Sequence, residues 1–476
     1  MPVARASAAG AGAHILGPLA SAPWYVRFLR DPIRCLMDLR ARHGELCALD
    51  HGVPLGSRGR RFVFALGPEY NRRVLSDIQH FHATGQSLPG PAGSAQRRVR
   101  FGLTRMRGER HAEQRALLLP LFQRSAVREQ AGAMAEGVEA ALAGWTPGRT
   151  VDVKREMRRL MLHLSSELLF GREDPERSWR LGEGIGDWLA HNFLGRVWLL
   201  LLDLPGTPYR GLLRRAEAIE REIRAMIESK RAAGAVGDDV VSRLLRAQAE
   251  RPGAVKFRDL VGQATMLFAA SYETTANAMT WTLLLLAQHP EIMEDLADEL
   301  AVARRGGPVS LDALERLPLL DAVLKESMRL FPPVPYAIRL ARSVESLGSL
   351  ILEDRDRVVV SHYVTHHLPE LYPDPGRFDP SRWSGLRRGP YEYLPFGAGP
   401  RTCIGFSFAN AEMKLALAAI LGRCRVSVLP GTRVERSVAV TLSPRGPLPM
   451  RLHAPGEVCR PARIGGNVRE MVRLPD

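Results

Sequence analysis

Cys403 is the residue best placed to do chemistry. It lies in Phe396-Gly-Ala-Gly-Pro-Arg-Thr-Cys-Ile-Gly405, with Arg401 two residues before it and a helical run, Phe406 to Leu421, directly after it. The thiolate is the form of cysteine that ligates metals, and a helix N-terminus stabilises negative charge. Arg401 can meet a carboxylate in a forked geometry. Gly399 and Gly405 allow positive φ, or close approach of the backbone to a bulky flat object. These parts suit a thiolate held against a metal beside a carboxylate-bearing cofactor, and haem on a cysteine meets that description. A buried structural cysteine at a glycine-rich turn is the bland alternative. The full ten-residue pattern favours the ligand.

A second constellation lies inside the longest apolar run, Phe257 to His289, which carries Ala270-Ser-Tyr-Glu-Thr-Thr275. Acidic and hydroxyl groups within an apolar helix are costly without partners. A mid-helix Thr can bond back to a carbonyl one turn earlier, which bends the helix and makes room for a small ligand. A polar seam between packed helices would use the same residues. His111 and Arg115 are four apart, hence on one helix face, and both can donate to a carboxylate. Such a pair also occurs on ordinary solvated faces. Glu326 and Arg329 read as an i, i+3 ion pair, usually of little worth at a surface. His362, His366 and His367 invite a metal, but their segment reads as extended or turned and lacks helical ligand spacing.

The spacing Phe396, Gly399, Arg401, Cys403, Gly405 resembles the haem-binding signature of the cytochrome P450 family, F-x-x-G-x-R-x-C-x-G. The resemblance covers roughly residues 20–455, with further motifs in the family's order. It implies a mainly α fold with small β-sheets and haem b buried between the long central helix and the Cys-loop helix. It implies Cys403 as axial ligand of the haem iron, with Phe396, Gly405 and Ala270 against the cofactor and His111, Arg115, Arg339 and Arg401 on its propionates. Glu273 and Thr274 match the acid–alcohol pair that manages proton delivery to bound dioxygen. Ser271 departs from the family's usual Gly, and its hydroxyl could turn into the oxygen groove. Glu326 and Arg329 would form a buried structural set completed by Arg377, and His366 would have a supporting role. Tyr336, Ala337, Ile338, Tyr272 and Phe193 would line the substrate pocket.

The implied activity is monooxygenation of a hydrophobic small molecule with O2. Electrons would come from a separate ferredoxin-type donor and an NAD(P)H reductase, since no flavin or nicotinamide glycine loop follows residue 455. A peroxygenase, isomerase or dehydratase is the alternative chemistry, and the Glu273–Thr274 pair counts against a peroxygenase. A haem sensor without catalysis is a further alternative. The resemblance points to a soluble, bacterial-type enzyme, with secondary metabolism as the expected setting.

The rest of the chain bounds these readings. The 476 residues are 45% hydrophobic and 25% charged, enough for a large core. The five cysteines are scattered and odd in number, which points to a reducing, cytoplasmic setting and not to a disulfide scaffold. A net charge of +15 would suit an acidic partner protein. No aromatic-interleaved basic stripe speaks for nucleic acid. No apolar span is long enough for a membrane anchor. The expected organisation is a loose tail over 1–20, one catalytic domain over 21–455, and an extension over 456–476 open to disorder, in a monomer. Within the domain, Pro23 to Arg42 reads as helix and Arg61 to Leu66 as strand. Ala83 to Gly102 reads as a long loop, and Trp179 to Ala233 as a helix pair around a Pro/Gly turn. Arg110, Arg387, Arg388 and Lys414 are the candidates for an electron donor's landing face.

Overall fold

A computed structural model describes residues 13–50, 61–85, 87–172, 174–192, 197, 201–234, 237–250, 256–304 and 310–475. The chain forms two units, each drawn from three separate stretches. Met1–Thr84, Val334–Pro375 and Arg388–Thr402 form the first, and Gly85–Pro333, Gly376–Arg387 and Cys403–Asp476 form the second.

Strand alternation builds the first unit. Its six-stranded mixed sheet runs, in spatial order, His14–Leu16, Leu46–Asp50, Arg61–Ala65, Arg357–Ser361, Tyr336–Ala341 and Phe81–Ala83. Ala48 pairs with Val63, and Val63 with Val358. Because successive side chains point to opposite faces, these residues share one face with Val360, where Leu75, Phe81, Leu394 and Ala398 cover them. Cys47, Leu49, Phe64 and Val359 fill the other face under Trp24, Phe28, Leu36 and Leu39. Each such side chain, once buried, contributes about 1.5–3 kcal/mol. A one-residue slip would exchange the two faces, so the pattern sets the register.

The single helix expected over Pro23 to Arg42 is two, Pro18–Arg30 and Pro32–His43. Pro32 disfavours helical geometry at Asp31, and the Asp31 carboxylate then caps the second helix by accepting the Arg34 N–H at 3.2 Å. The expected tail over 1–20 lies outside the described residues up to position 12. From 13 onward it is already a strand and the start of a helix.

The second unit is mostly helical. Phe257–Gln288 is its longest helix, with Val153–Phe170 packed along it. It stops before Pro290, and Trp281 stacks on Phe331 with ring centroids 4.4 Å apart. A three-stranded sheet joins Thr150–Asp152, Pro449–His453 and Arg425–Val428. A hairpin pairs Glu435–Val438 with Leu442–Arg445. The hairpin's turn is pinned to the long helix, since Trp281 donates to the Leu442 carbonyl at 3.0 Å. Within the loop expected over 83–102, Ala95–Val99 is a short helix capped by Ser94.

The extension over 456–476 is packed, contrary to the expectation of disorder. Val468, Met471, Val472 and Leu474 are buried. Val434 donates to the Gly465 carbonyl at 2.9 Å and Arg473 to that of Gly376 at 2.8 Å. Val468, Met471 and Val472 have helical spacing over a single turn only, too short a run to read as an element from sequence, and a 3-10 turn forms at Asn467–Glu470.

Candidate active site

The loop before Cys403 is fixed from within the first unit. Leu394 and Ala398 are buried in the sheet's core. The Leu394 N–H donates to His366 Nε2 at 2.8 Å, the supporting role expected of that histidine. Gly397 and Gly399 have φ of 70° and 73°. A Cβ on Gly399 would lie 2.5 Å from the Leu75 carbonyl oxygen, so only glycine fits. Gly405 does not take the positive φ: its φ is −88°, an ordinary value, and it caps the helix Phe406–Arg423.

Cys403 belongs to the second unit. It is solvent-accessible, yet protein surrounds it closely enough that burial is the main influence on its thiol, pushing the pKa up. A group lining an enclosed cleft has this environment. The Gly405 N–H and the positive charge of Arg115 oppose the burial and favour the thiolate. Arg115 shares the helix Gly108–Phe122 with His111, which is buried.

Arg339 sits in the strand Tyr336–Ala341 of the first unit. Burial, aided by the charge of Arg401, lowers its pKa to about 10. No carboxylate forms an ion pair with Arg339 among the described residues. A buried guanidinium depressed by a second positive charge is in surroundings that an anion relieves, so the donor set fits a cofactor's carboxylates.

The long helix presents two different sides. Ala270 is exposed, although Phe268, Ala269 and Tyr272 around it are buried. Thr274 gives its hydroxyl to the Ala270 carbonyl at 2.8 Å. This is the open side. Ser271 does not turn its hydroxyl outward: it donates to the Phe268 carbonyl at 2.9 Å. Glu273 points elsewhere and accepts from the Thr441 hydroxyl at 2.9 Å. Burial raises its pKa, opposed by the Thr441 bond and by the charges of Arg158 and Lys154. Tyr272, expected in the substrate pocket, instead lines a cavity of about 300 Å³ together with Glu273, Lys154 and Arg158.

Strand alternation divides the other residues expected in the pocket between two clusters, each residue only partly buried. Tyr336 and Ile338 pack into the cluster holding Phe28 and Phe64, with the Tyr336 and Phe28 rings 5.3 Å apart. Ala337 packs on the opposite face. Phe193 lies outside the described residues.

The structural set contains a different arginine from the expected one. Glu326 accepts from Arg329 at 2.9 and 2.8 Å, from Arg382 at 2.9 Å and from the Trp383 indole at 3.0 Å. Arg377 is exposed and contributes only its carbonyl, to Arg329 at 3.1 Å. Of the basic residues expected to face a donor, Arg110 pairs with Asp259 at 2.6 Å and Lys414 with Asp321 at 3.3 Å. Arg388 lies over the Tyr372 ring and donates to the Leu371 carbonyl. Arg387 is exposed. His362 and His366 sit on a short helix, not on an extended segment. No cluster of metal-ligating side chains occurs among the described residues. Sequence reasoning missed Thr441 and Glu412. The signal for Glu412 was an acid inside the apolar run Phe406 to Leu421.

The family model for cytochrome P450 matches residues 27–450. The chain belongs to the cytochrome P450 family. It is 32% identical over 439 residues to cyclooctat-9-en-7-ol 5-monooxygenase of Streptomyces melanosporofaciens, covering 91% of each chain. It is 29% identical over 451 residues to pentalenene oxygenase of Streptomyces avermitilis, covering 92% of this chain and 97% of that protein. In fold it is similar to the retinoic acid-bound cyanobacterial CYP120A1, with a TM-score of 0.78, 24% identity and coverage of 93% and 100%. As a P450 monooxygenase it uses haem b, dioxygen and a redox partner. No helix among the described residues is long and apolar enough to cross a membrane.

Proposed function

We propose that this P450 oxygenates a hydrophobic small molecule of the terpenoid class, with Cys403 as the axial ligand of the haem iron. The observation that carries the ligand assignment is the pairing of Cys403 with the Gly405 N–H and the charge of Arg115 at the start of a helix. Haem supplies activation of dioxygen when bound. The chain's own residues do the rest. His111, Arg115, Arg339 and Arg401 would bind its propionates, and Phe396, Gly405 and Ala270 would help to hold it. Thr274 holds a hydroxyl on the open side of the long helix, and Glu273, on the other side, handles protons. Two relatives support the substrate class, because their names place oxygen on cyclooctat-9-en-7-ol and on pentalenene. The donor is an acidic ferredoxin served by an NAD(P)H reductase, a choice supported by the net charge of +15. Arg387 belongs to its landing face. Arg110, Arg388 and Lys414 are committed within the chain.

One spectrum tests the ligand. Reduced protein under carbon monoxide should show the red-shifted Soret band of thiolate ligation, and Cys403→Ser should abolish it. A wild-type protein that binds no haem would sink the reading. A panel of cyclic terpenes should then include one that drives the low- to high-spin shift, and a panel where only fatty acids do so would overturn the substrate class.

A further inference from the structure

Two arginines of the second unit, Arg100 and Arg105, are enclosed by protein without an acidic partner. Arg105 buries its Nη1 completely, and that nitrogen has no hydrogen-bond partner. Its guanidinium lies along the backbone of Gly85, where a Cβ would stand 1.9 Å from Nη1. Arg100 makes one side-chain hydrogen bond, from Nε to the Ser87 hydroxyl at 3.2 Å. Burial, aided by the charges of Arg105 and Arg97, lowers its pKa to about 10. Burial also lowers the pKa of Arg105, aided by the charge of Arg107. The acids on neighbouring elements are committed elsewhere. Glu220 accepts from Arg98 at 2.6 and 2.7 Å and from Arg224 at 2.8 Å. Asp259 pairs with Arg110 at 2.6 Å and Asp203 with Arg210 at 3.2 Å. Desolvated cations that repel one another are costly until a counter-charge arrives.

The backbone that carries the two arginines is fixed. Gln96 accepts from the Trp188 indole at 2.7 Å and donates to the Leu88 carbonyl at 3.0 Å. The Tyr209 hydroxyl donates to the Pro89 carbonyl at 2.9 Å. The Leu103 N–H donates to the Gln263 side chain at 2.9 Å. Gly102 lies so close to the long helix that a Cβ on it would stand 2.7 Å from the Gly262 carbonyl oxygen and from Met266 Cβ. Arg105 ends the short turn Leu103–Arg105 that follows. Met266, Ala270 and Thr274 are successive residues of one helix face, and all three keep some exposure. At about 1.5 Å of rise per residue, Met266 stands about 12 Å from Thr274 along that face. The arginine-bearing turn is thus at one end of the open side and the Thr274 hydroxyl at the other.

We propose that Arg100 and Arg105 form a subsite for a carboxylate on the substrate, so that the enzyme takes an acidic terpenoid by its acid end and lays the rings along the face that leads to Thr274. The proposal rests on the monooxygenase and terpenoid readings above. A carboxylate has lone pairs for both guanidinium groups and supplies the charge that neither finds within the chain. The haem propionates carry the same chemistry, and the test separates the two sources.

The full-length holoenzyme is titrated with abietic acid, retinoic acid and lauric acid, each beside its methyl ester, reading the low- to high-spin shift. At least one terpenoid acid should bind about tenfold more tightly than its ester, the factor that one hydrogen bond to a charged group carries. Arg105→Gln and Arg100→Gln should each bring that ratio towards one and leave ester affinity unchanged, and either serves if the other does not fold. Arg105→Lys should keep part of the preference. Acids that bind the wild type no more tightly than their esters, or a ratio that neither glutamine variant moves, would overturn the subsite. Faster loss of haem to apomyoglobin from Arg105→Gln would assign the pair to the propionates and overturn the substrate role. An acid preference confined to lauric acid would overturn the terpenoid class and leave the subsite standing. An acid preference without product from any bound acid, given NAD(P)H, ferredoxin and reductase, would overturn the monooxygenase reading and likewise leave the subsite standing.

Discussion

Arg382 donates its Nε–H to Glu326 over 2.9 Å, although 56 residues separate them. Glu326 and Arg329 are fully buried, and Arg382 is 9% exposed. The Asp379 N–H adds another donor to the same carboxylate at 3.2 Å. A buried charge set of this kind is costly to break, because removing one member strands the others. Glu326→Ala should therefore lose about 3–5 kcal/mol of stability. Arg382→Ala should destabilise in the same direction. Arg377→Ala should stay within about 0.5 kcal/mol of the wild type, since its side chain is exposed. Chemical denaturation of the three variants checks the order, and a large loss in Arg377→Ala would contradict it.

Gly399 and Gly405 frame the cysteine loop but should respond differently to alanine. At Gly399 the φ of 73° and the 2.5 Å approach to the Leu75 carbonyl both exclude a Cβ. Alanine there should cost about 1–2 kcal/mol for the left-handed conformation alone, before the clash is relieved. At Gly405 the nearest atom to a new Cβ is Cys403 Sγ at 3.9 Å, an ordinary contact. Alanine there should change chain stability by less than about 1 kcal/mol. Thermal unfolding of both variants measures the difference.

The two stretches proposed to carry the chemistry were legible because each is local. The cysteine, its glycines and the helix start lie within ten residues, and Thr274 bonds within its own helix. What sequence could not show was which distant groups fold back. Pro375 to Phe378 and Pro380 to Trp383 both offer an arginine, and only the turn at Pro380–Ser384 decides that Arg382 reaches Glu326. Tyr336 was assigned to the pocket by position, and strand alternation packs it, partly buried, against the cluster holding Phe28. Thr441 and Glu273 are 168 residues apart, and no periodicity links a hairpin turn to a helix.

His362 should give the protein an acid-sensitive slope. It is buried, donates from Nδ1 to the Val334 carbonyl at 2.7 Å, and stays neutral. Burial lowers its pKa to about 4, opposed by that hydrogen bond and aided by the charge of Arg339. In the unfolded chain it protonates near 6.5. Between those values the unfolded state binds a proton that the folded state does not. The His362 contribution is therefore intact above pH 6.5 and falls by about 3 kcal/mol as pH drops to 4. Urea unfolding at successive pH values should show this limb in the wild type and a flatter one in His362→Gln. Parallel limbs would exclude His362 as its source.

Glu412 should act in the opposite sense. It is fully buried on the cysteine helix, and neither carboxyl oxygen has a well-formed hydrogen bond. A neighbouring hydroxyl, that of Thr275, spends its proton on the Ser271 carbonyl at 3.0 Å. Burial raises the Glu412 pKa well above the usual carboxylate range, and Thr275 opposes it only partly. The folded protein thus keeps Glu412 protonated while the unfolded chain ionises it. Stability is unaffected below the unfolded pKa and falls as pH rises above it, because the unfolded state then gains by releasing the proton. Glu412→Gln keeps the shape and removes the titration. It should match the wild type near pH 4 and exceed it progressively towards pH 8, as read by denaturant midpoints. A variant less stable than the wild type at pH 8 would mean that Glu412 is ionised and paired in the folded state.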